Sequence, residues 1–184
     1  MTVSAHDIAA ELRKRLPGLP KKKLHKLLYY CQAHHLATFD SPMFRETVSA
    51  WDMGPVVGTL WWEENEAGGP VGGDPYRLDE AALNTIGYVV SRYGSLTGMD
   101  LEHLTHTESP WVEADRRREP HDRARISHES MRDYFRYSDS DDDETGTPSV
   151  DAEVLGWLAD AEQWQAHPRV PDSLDRLRAR ATSA

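Results

Sequence analysis

The chain has 184 residues, of which 39% are hydrophobic and 28% charged, and its formal net charge is −10. This length and apolar content suit one globular domain with an appendage, and leave little material for a second core. An acidic chain lacks the positive field that nonspecific nucleic-acid binding requires, which argues against a nucleic-acid-binding or membrane-surface protein. No apolar run approaches the ~18 residues of a membrane-spanning helix and no signal peptide is visible, so we expect a cytoplasmic protein.

The acidic excess is concentrated in the last quarter of the chain. Residues 138–184 contain 4 Lys/Arg against 11 Asp/Glu, whereas residues 1–137 contain 17 against 20. Residues 138–146 hold five acids and no hydrophobic residue, which predicts a solvated acidic tether. The sequence beyond it has the period of an amphipathic helix, on Val150, Val154, Trp157, Leu158 and Ala161. We therefore predict a domain over 1–137 and a tethered tail over 138–184, whose apolar helix docks either on its own domain or on a partner.

The start of the chain predicts two helices. Ser4 and Asp7 are placed as a capping box ahead of the first, which the Pro-Gly pair at residues 17–18 ends. Pro20 opens the second helix, which ends in a turn over residues 39–42. The inward faces of both helices are predicted to hold Ile8, Leu12, Leu16, Leu24, Leu27, Leu28, Cys31 and His35.

A short strand and a third helix are expected next. Residues 45–51 are β-tolerant and predict a small strand or hairpin. Gly54 and Pro55 predict the start of the third helix, because proline is favoured at the first helical position. Its inward face would hold Val56, Val57, Leu60 and Trp61. Residues 65–77, rich in glycine and proline, predict a surface loop.

Four further helices complete the predicted domain. One covers residues 79–93 and ends at Gly94. The starts of the others are marked by a Thr97–Asp100 capping box, by Ser109-Pro110-Trp111 and by Ser127. The sequence thus predicts a mainly α protein: a compact helical domain with a small β-hairpin element, followed by an acidic tether and a C-terminal helical tail.

The residues that could carry chemistry form no catalytic or metal-binding constellation. The single cysteine, Cys31, lies on an inward helical stripe, and it excludes an internal disulfide or a thiolate zinc cluster. His103 and His106 share a helical face, but a catalytic zinc site usually has three protein ligands. No nucleophile elbow, P-loop or dinucleotide-binding glycine pattern is present. We expect no enzymatic activity, no metal and no cofactor.

A basic cluster surrounds the junction of the first two helices. It consists of Arg13, Lys14, Arg15, Lys21, Lys22, Lys23 and Lys26. Such a local positive field could meet an acidic partner surface, an RNA or the acidic tether of the chain itself. The alternative is a pair of solvated helix ends without a partner.

Several separated motifs resemble those of one known family. They read KLLYYCQ at residues 26–32, AWDMGPVV at 50–57, YGSLTG at 93–98 and LTHTESPW at 104–111. In this order they resemble the Panacea domain, the family of SocA-like antitoxins and phage-associated GepA-like proteins. The resemblance extends from about residue 24 to 137. It implies a mainly helical, non-enzymatic domain with a small β element, in keeping with the pattern of the sequence.

The resemblance also implies a function in a toxin–antitoxin system and in phage defence. Members bind a cognate protein toxin, encoded nearby, and neutralise it by direct contact. The alternative is a proteolytic adaptor or phage regulatory protein that delivers its partner to a ClpXP-type protease. A homodimer and a heterotetramer with toxin both remain open. The expected partner-binding residues are Trp51, Asp52, Met53, Gly54, Pro55, His106, Trp111 and Trp157. Apart from Trp157, most of these residues also shape turns and helix starts, so a purely structural role is the competing interpretation.

Overall fold

The structure, a computed structural model, describes residues 3–119 and 122–145, with side chains as far as residue 137. Its helices are α1 (Ala5–Arg15), α2 (Lys21–Phe39), α3 (Gly58–Ala67), α4 (Glu80–Tyr93), α5 (Gly98–Thr107), α6 (Ser109–Asp115) and α7 (His128–Thr145). The strands β1 (Val48–Trp51), β2 (Gly54–Val57) and β3 (Ala124–Arg125) form an antiparallel sheet in the order β2-β1-β3. The prediction of a mainly α fold with a small β element is confirmed.

The chain divides by compactness into two units, Met1–Glu144 and Thr145–Ala184. Apart from Thr145, the second unit lies outside the described residues, as does the predicted amphipathic helix of the tail. The division into a domain and a tail therefore stays a prediction.

Helix α2 is the centre of the fold. Every residue from Leu24 to Leu36 is buried, because α1, α4, α5 and β2 all pack against this one helix. The sequence predicted a single apolar stripe on α2, as on an ordinary surface helix. The polar residues between the apolar ones are instead buried as well, and burial without hydrogen bonds would cost them free energy.

The buried Gln32 shows how such a polar side chain is satisfied. Its Nε2 donates to the Phe44 carbonyl at 3.0 Å, and its Oε1 accepts from the Met43 and Phe44 amides at 2.9 and 3.1 Å. The amide side chain thus pairs with the backbone of the segment that leads from α2 to β1. This holds the approach to the hairpin against the central helix.

A second buried polar cluster joins α2 to the start of α6. The Tyr29 hydroxyl donates to Glu108 Oε2 at 2.7 Å, and the Tyr30 hydroxyl donates to Oε1 at 2.8 Å. Burial of the carboxyl raises the pKa of Glu108 to about 8, although the two hydroxyl donors act in the opposite direction. Tyr30 also stacks on Tyr93 of α4, with ring centroids 4.0 Å apart. Three helices therefore meet at this cluster.

Several local signals in the sequence correspond to observed caps. The Ser4–Asp7 and Thr97–Asp100 capping boxes are both present, at the starts of α1 and α5. Helix α2 ends at Phe39, and the capping residue Asp40, with a left-handed φ of 56°, turns the chain away. These caps depend on neighbours in sequence, which is why the sequence predicts them well.

The predicted start of the third helix was wrong. Residues 54–57 form strand β2, and the helix begins at Gly58. Strand pairing runs from Val48 with Val57 to Trp51 with Gly54, which leaves a two-residue turn. Gly54 has a φ of +96°, outside the helical region, and Pro55 lies on an edge strand, where a missing N–H is tolerated. Pairing with β1 therefore decided between two structures that both suit a Gly-Pro step.

Two further differences concern short or polar segments. The sequence analysis missed β3, because two residues are too short for a recognisable pattern. Helix α7 continues to Thr145, so residues 138–145 are helical where an acidic tether was expected. Residues 128–145 contain neither glycine nor proline, and Gly146 is the first helix-breaking residue. The absence of apolar side chains in this segment carried no information about its backbone conformation.

The Glu108 cluster predicts a pH-dependent stability. A carboxyl whose pKa rises from 4.5 in the unfolded chain to about 8 in the fold stabilises fully below pH 4.5 and loses this contribution as the pH rises towards 8. We expect Glu108→Gln to flatten that decline, by up to about 1.4 kcal/mol per pH unit, because an amide does not ionise. Urea unfolding at pH 5, 6.5 and 8 measures it.

The control is Glu113→Gln, at an exposed position of α6. Its free energy of unfolding should follow the wild-type pH dependence. A Glu108→Gln protein with the wild-type slope between pH 5 and 8 would contradict a buried, proton-binding carboxyl.

Candidate partner-binding site

A groove of about 750 Å³ lies beside the hairpin, where α2, α3 and residues 122–123 meet it. Its lining residues are Lys21, Lys22, His25, Lys26, Trp51, Asp52, Met53, Val56, Trp61, Trp62, Asp122 and Arg123. We call it the tryptophan groove. It combines aromatic walls with a mostly basic set of charges.

Three indole rings form the aromatic wall. The ring centroids of Trp51 and Trp61 are 5.2 Å apart, and Trp61 and Trp62 meet edge to face at 4.7 Å. Trp62 is 51% exposed and Met53, at the hairpin turn, is 54% exposed. Large apolar side chains left in water beside a groove are typical of interaction surfaces, and tryptophan is enriched among the residues that dominate binding energy.

Lys21 is held at the edge of this wall. Its ammonium donates to the Trp61 carbonyl at 2.9 Å and to Asn65 Oδ1 at 2.6 Å, and it lies 4.8 Å from the Trp61 ring centroid. These contacts fix the indole and the cation relative to each other. The wall is therefore preorganised before any partner arrives.

Lys26 lies beneath the hairpin and is only 1% exposed. Its ammonium donates to the Met53 carbonyl and lies 3.5 Å from the Pro55 carbonyl. Burial lowers the pKa of Lys26 to about 8, a shift that the nearby Glu102 carboxylate opposes. A buried cation that binds turn carbonyls fixes the hairpin to α2.

Gly54 fits closely against that lysine. An added Cβ would lie 2.8 Å from Lys26 Cε and 3.1 Å from Thr105 Oγ1, and the φ of +96° disfavours any side chain. The turn, α2 and α5 therefore meet at a residue that has no side chain. Gly54 and the adjacent Pro55 are buried, which supports a structural role for both.

His25 and Trp51 present nitrogen atoms without acceptors. His25 Nδ1 accepts the Val57 N–H at 3.3 Å, so the ring proton belongs on Nε2. Neither His25 Nε2 nor Trp51 Nε1 has a hydrogen-bond partner within the part of the chain that the structure describes. Burial, with nearby lysines, lowers the pKa of His25 to about 3, so the ring is neutral at physiological pH.

His106 and Trp111 form a separate pair. Their rings stack with centroids 3.9 Å apart, and Trp111 is 8% exposed. Burial lowers the pKa of His106, with Glu102 acting in the opposite direction. Their helices, α5 and α6, contact β2 and β1 respectively, but neither residue lines the tryptophan groove.

The predicted partner-binding residues thus fall into distinct places. Trp51, Asp52 and Met53 line the groove, Gly54 and Pro55 shape the turn, His106 and Trp111 stack elsewhere, and Trp157 lies outside the described residues. Their role in binding stays a prediction. Sequence reasoning missed Trp62 and Arg123. The adjacent pair Trp61-Trp62 was a usable signal, because neighbouring residues on a helix that packs on one side only cannot both face the core.

The predicted basic cluster is engaged largely within the fold. Arg13 binds Glu64 at 2.5 Å, Arg15 binds Glu11 at 2.8 Å, and Lys22 pairs with Glu102. Lys23 donates to the Gly94 carbonyl at 2.6 Å. Arg13, Lys22 and Lys23 thus join their helices to other elements of the fold, while Arg15 pairs within α1.

The described residues offer little for catalysis or metal binding. Burial raises the pKa of the Cys31 thiol far above its ordinary value, which makes it a poor nucleophile. No group of three or more His, Cys, Asp or Glu side chains within residues 3–119 and 122–145 is arranged to hold a metal ion. Over the same stretch, no helix combines the length and apolar character needed to cross a membrane.

Comparison with known families gives one match. Residues 24–112 match the model of the family described as antitoxin SocA-like, Panacea domain. The segment runs from α2 to the first residues of α6 and includes the whole β1–β2 hairpin. The match confirms the family resemblance inferred from the motifs, although it ends at residue 112 rather than 137. Comparison with curated proteins and with solved structures gives no match.

The packing of Gly54 predicts an unusually costly alanine substitution. Gly54→Ala forces a left-handed φ on alanine and displaces Lys26 from the Met53 carbonyl. Gly68→Ala is the matched control, because Gly68 also has a positive φ, of +69°, but open space around it. We expect the control to lose about 1 kcal/mol and Gly54→Ala at least about 2 kcal/mol more.

Thermal and urea unfolding of the two variants measure this difference. Equal losses would mean that Lys26 moves aside freely, and would contradict its role as the clamp of the hairpin.

Proposed function

We propose, from the premise that residues 24–112 are similar to the Panacea domain of SocA-like antitoxins, that this protein is the antitoxin of a toxin–antitoxin pair. It neutralises a protein toxin by direct contact, through the tryptophan groove. The family match is the observation that carries the antitoxin assignment. The groove supplies a surface on which contact with a protein is physically favourable.

The exposed side chains of the groove supply the binding free energy in this proposal. Burial of a large apolar side chain contributes roughly 1.5–3 kcal/mol, and both Trp62 and Met53 are about half exposed in the free protein. Their surroundings are fixed by the Lys21 and Lys26 contacts, so little conformational entropy is lost on binding. A stoichiometric binder needs such a surface and no catalytic group.

Co-expression with the product of the adjacent reading frame tests the proposal. We expect that product to arrest growth alone, to be neutralised by this protein, and to co-purify with it. Trp62→Ala should weaken the complex at least tenfold, about 1.4 kcal/mol, because it removes the most exposed indole of the groove. Tyr76→Ala is the control, since Tyr76 is 96% exposed but does not line the groove.

The alternative outcomes separate the classes of mechanism. Rescue without a complex in pull-down and gel filtration would contradict direct neutralisation. Rescue that disappears in a host without a ClpXP-type protease would favour the proteolytic adaptor instead. An adjacent product that is neither toxic nor bound would contradict the antitoxin assignment itself.

A further inference from the structure

The charge of the tryptophan groove is opposite to that of the chain. Its lining includes four basic residues, Lys21, Lys22, Lys26 and Arg123, against two acidic ones, Asp52 and Asp122. The whole chain has a net charge of −10. Asp52 is further neutralised by Arg118, whose Nη1 lies 2.6 Å from its carboxylate. The lining residues are therefore more basic than the chain as a whole, but Lys22 is paired with Glu102 and Lys26 is buried, so Arg123 is the exposed cation of this lining.

The groups at the groove that form no hydrogen bond within the described part of the chain are donors. Trp51 Nε1–H and His25 Nε2–H have no acceptor within the described part of the chain, and both residues line the groove. Both nitrogens are buried, so a ligand in the groove meets the exposed guanidinium of Arg123 instead. Carboxylate and carbonyl oxygens are acceptors, whereas a basic side chain would bring only more donors.

The apolar part of the groove requires a second feature of the ligand. Trp62 and Met53 are exposed at its rim, and the volume of about 750 Å³ suits a few side chains rather than a folded domain. A ligand that satisfies both parts carries an apolar side chain next to a carboxylate. A short protein segment with aspartate or glutamate beside a large apolar residue has this chemistry.

We propose that the tryptophan groove binds an acidic, apolar-anchored peptide segment of the partner protein, with Trp62 and Met53 against the anchor and Arg123 against the carboxylate. This rests on the proposed function, because the segment belongs to the toxin. It names the chemistry by which that toxin is recognised.

Single-stranded nucleic acid is the competing ligand for a site with tryptophans and basic residues. Binding a run of phosphates requires several available cations and shows a steep salt dependence. Here Lys21 and Lys22 are held by Asn65 and Glu102, and Lys26 is buried under the hairpin. Arg123 is the exposed cation that remains, which matches one carboxylate better than a phosphate chain.

The test uses the full chain and displayed random 12-residue peptides. We expect selected peptides to combine Asp or Glu with a large apolar residue. Fluorescence anisotropy of synthesised peptides should show at least tenfold weaker binding to Trp62→Ala and to Arg123→Glu. Tyr76→Ala and Arg45→Glu are the controls, one exposed aromatic and one exposed arginine outside the groove. Unchanged melting temperatures establish that the groove variants fold.

A charge exchange makes the assignment of Arg123 specific. Replacing the acidic residue of a selected peptide by lysine should abolish binding to the wild type and restore part of it to Arg123→Glu. Selection of basic peptides, no selection at all, or affinity unchanged in both groove variants would overturn the proposal. Tighter binding of a 12-nucleotide oligouridine, lost in the same variants, would overturn it in favour of nucleic acid.

These results are separable from those of the co-expression experiment. If toxin and antitoxin co-purify but no acidic peptide is selected, direct neutralisation stands and only the ligand chemistry is wrong. If acidic peptides bind in the groove but the adjacent product is neither toxic nor bound, the antitoxin assignment fails while the peptide site stands.

Discussion

The buried ammonium of Lys26 is the interaction on which the arrangement of the site depends. It binds the Met53 carbonyl from below, so the turn of the hairpin lies directly on α2. That approach leaves no room for a Cβ at Gly54, whose φ is +96°. The hairpin turn thereby presents Asp52 and Met53 to solvent beside the tryptophans. A buried charge is expensive, and here it is compensated by carbonyl oxygens and by the Glu102 carboxylate.

Other buried polar side chains of α2 also form hydrogen bonds with the elements packed around it. Tyr29 and Tyr30 share Glu108, and Gln32 pairs with the backbone near Phe44. The two tyrosines join α2 to the start of α6, and Gln32 joins it to the segment before β1. Hydrogen bonds of this kind tolerate few alternative geometries, so they specify one packing where apolar contacts alone would allow several. A rigid support of this sort suits a surface that must meet its partner preformed.

The groove and the overall charge of the chain act at different ranges. A net charge of −10 repels polyanions, while the basic residues that line the groove act only over short distances. A partner with a local acidic segment would be selected by contact rather than by long-range attraction. Its apolar anchor would provide most of the affinity, and the carboxylate most of the specificity.

The sequence alone determined most of the helices, their caps and the family resemblance. The caps were predictable because a capping box such as Ser4–Asp7 depends on residues three apart. It also predicted a β element over residues 45–51, which contains β1, and it named Trp51, Asp52 and Met53, which line the groove. Only the tertiary structure decided that residues 54–57 form a strand. A Gly-Pro step is compatible with both a helix start and an edge strand, and the hydrogen bonds to β1 stabilise the strand. It alone brought Trp62 and Arg123 to one groove, because residues so distant in sequence become neighbours only through packing around α2.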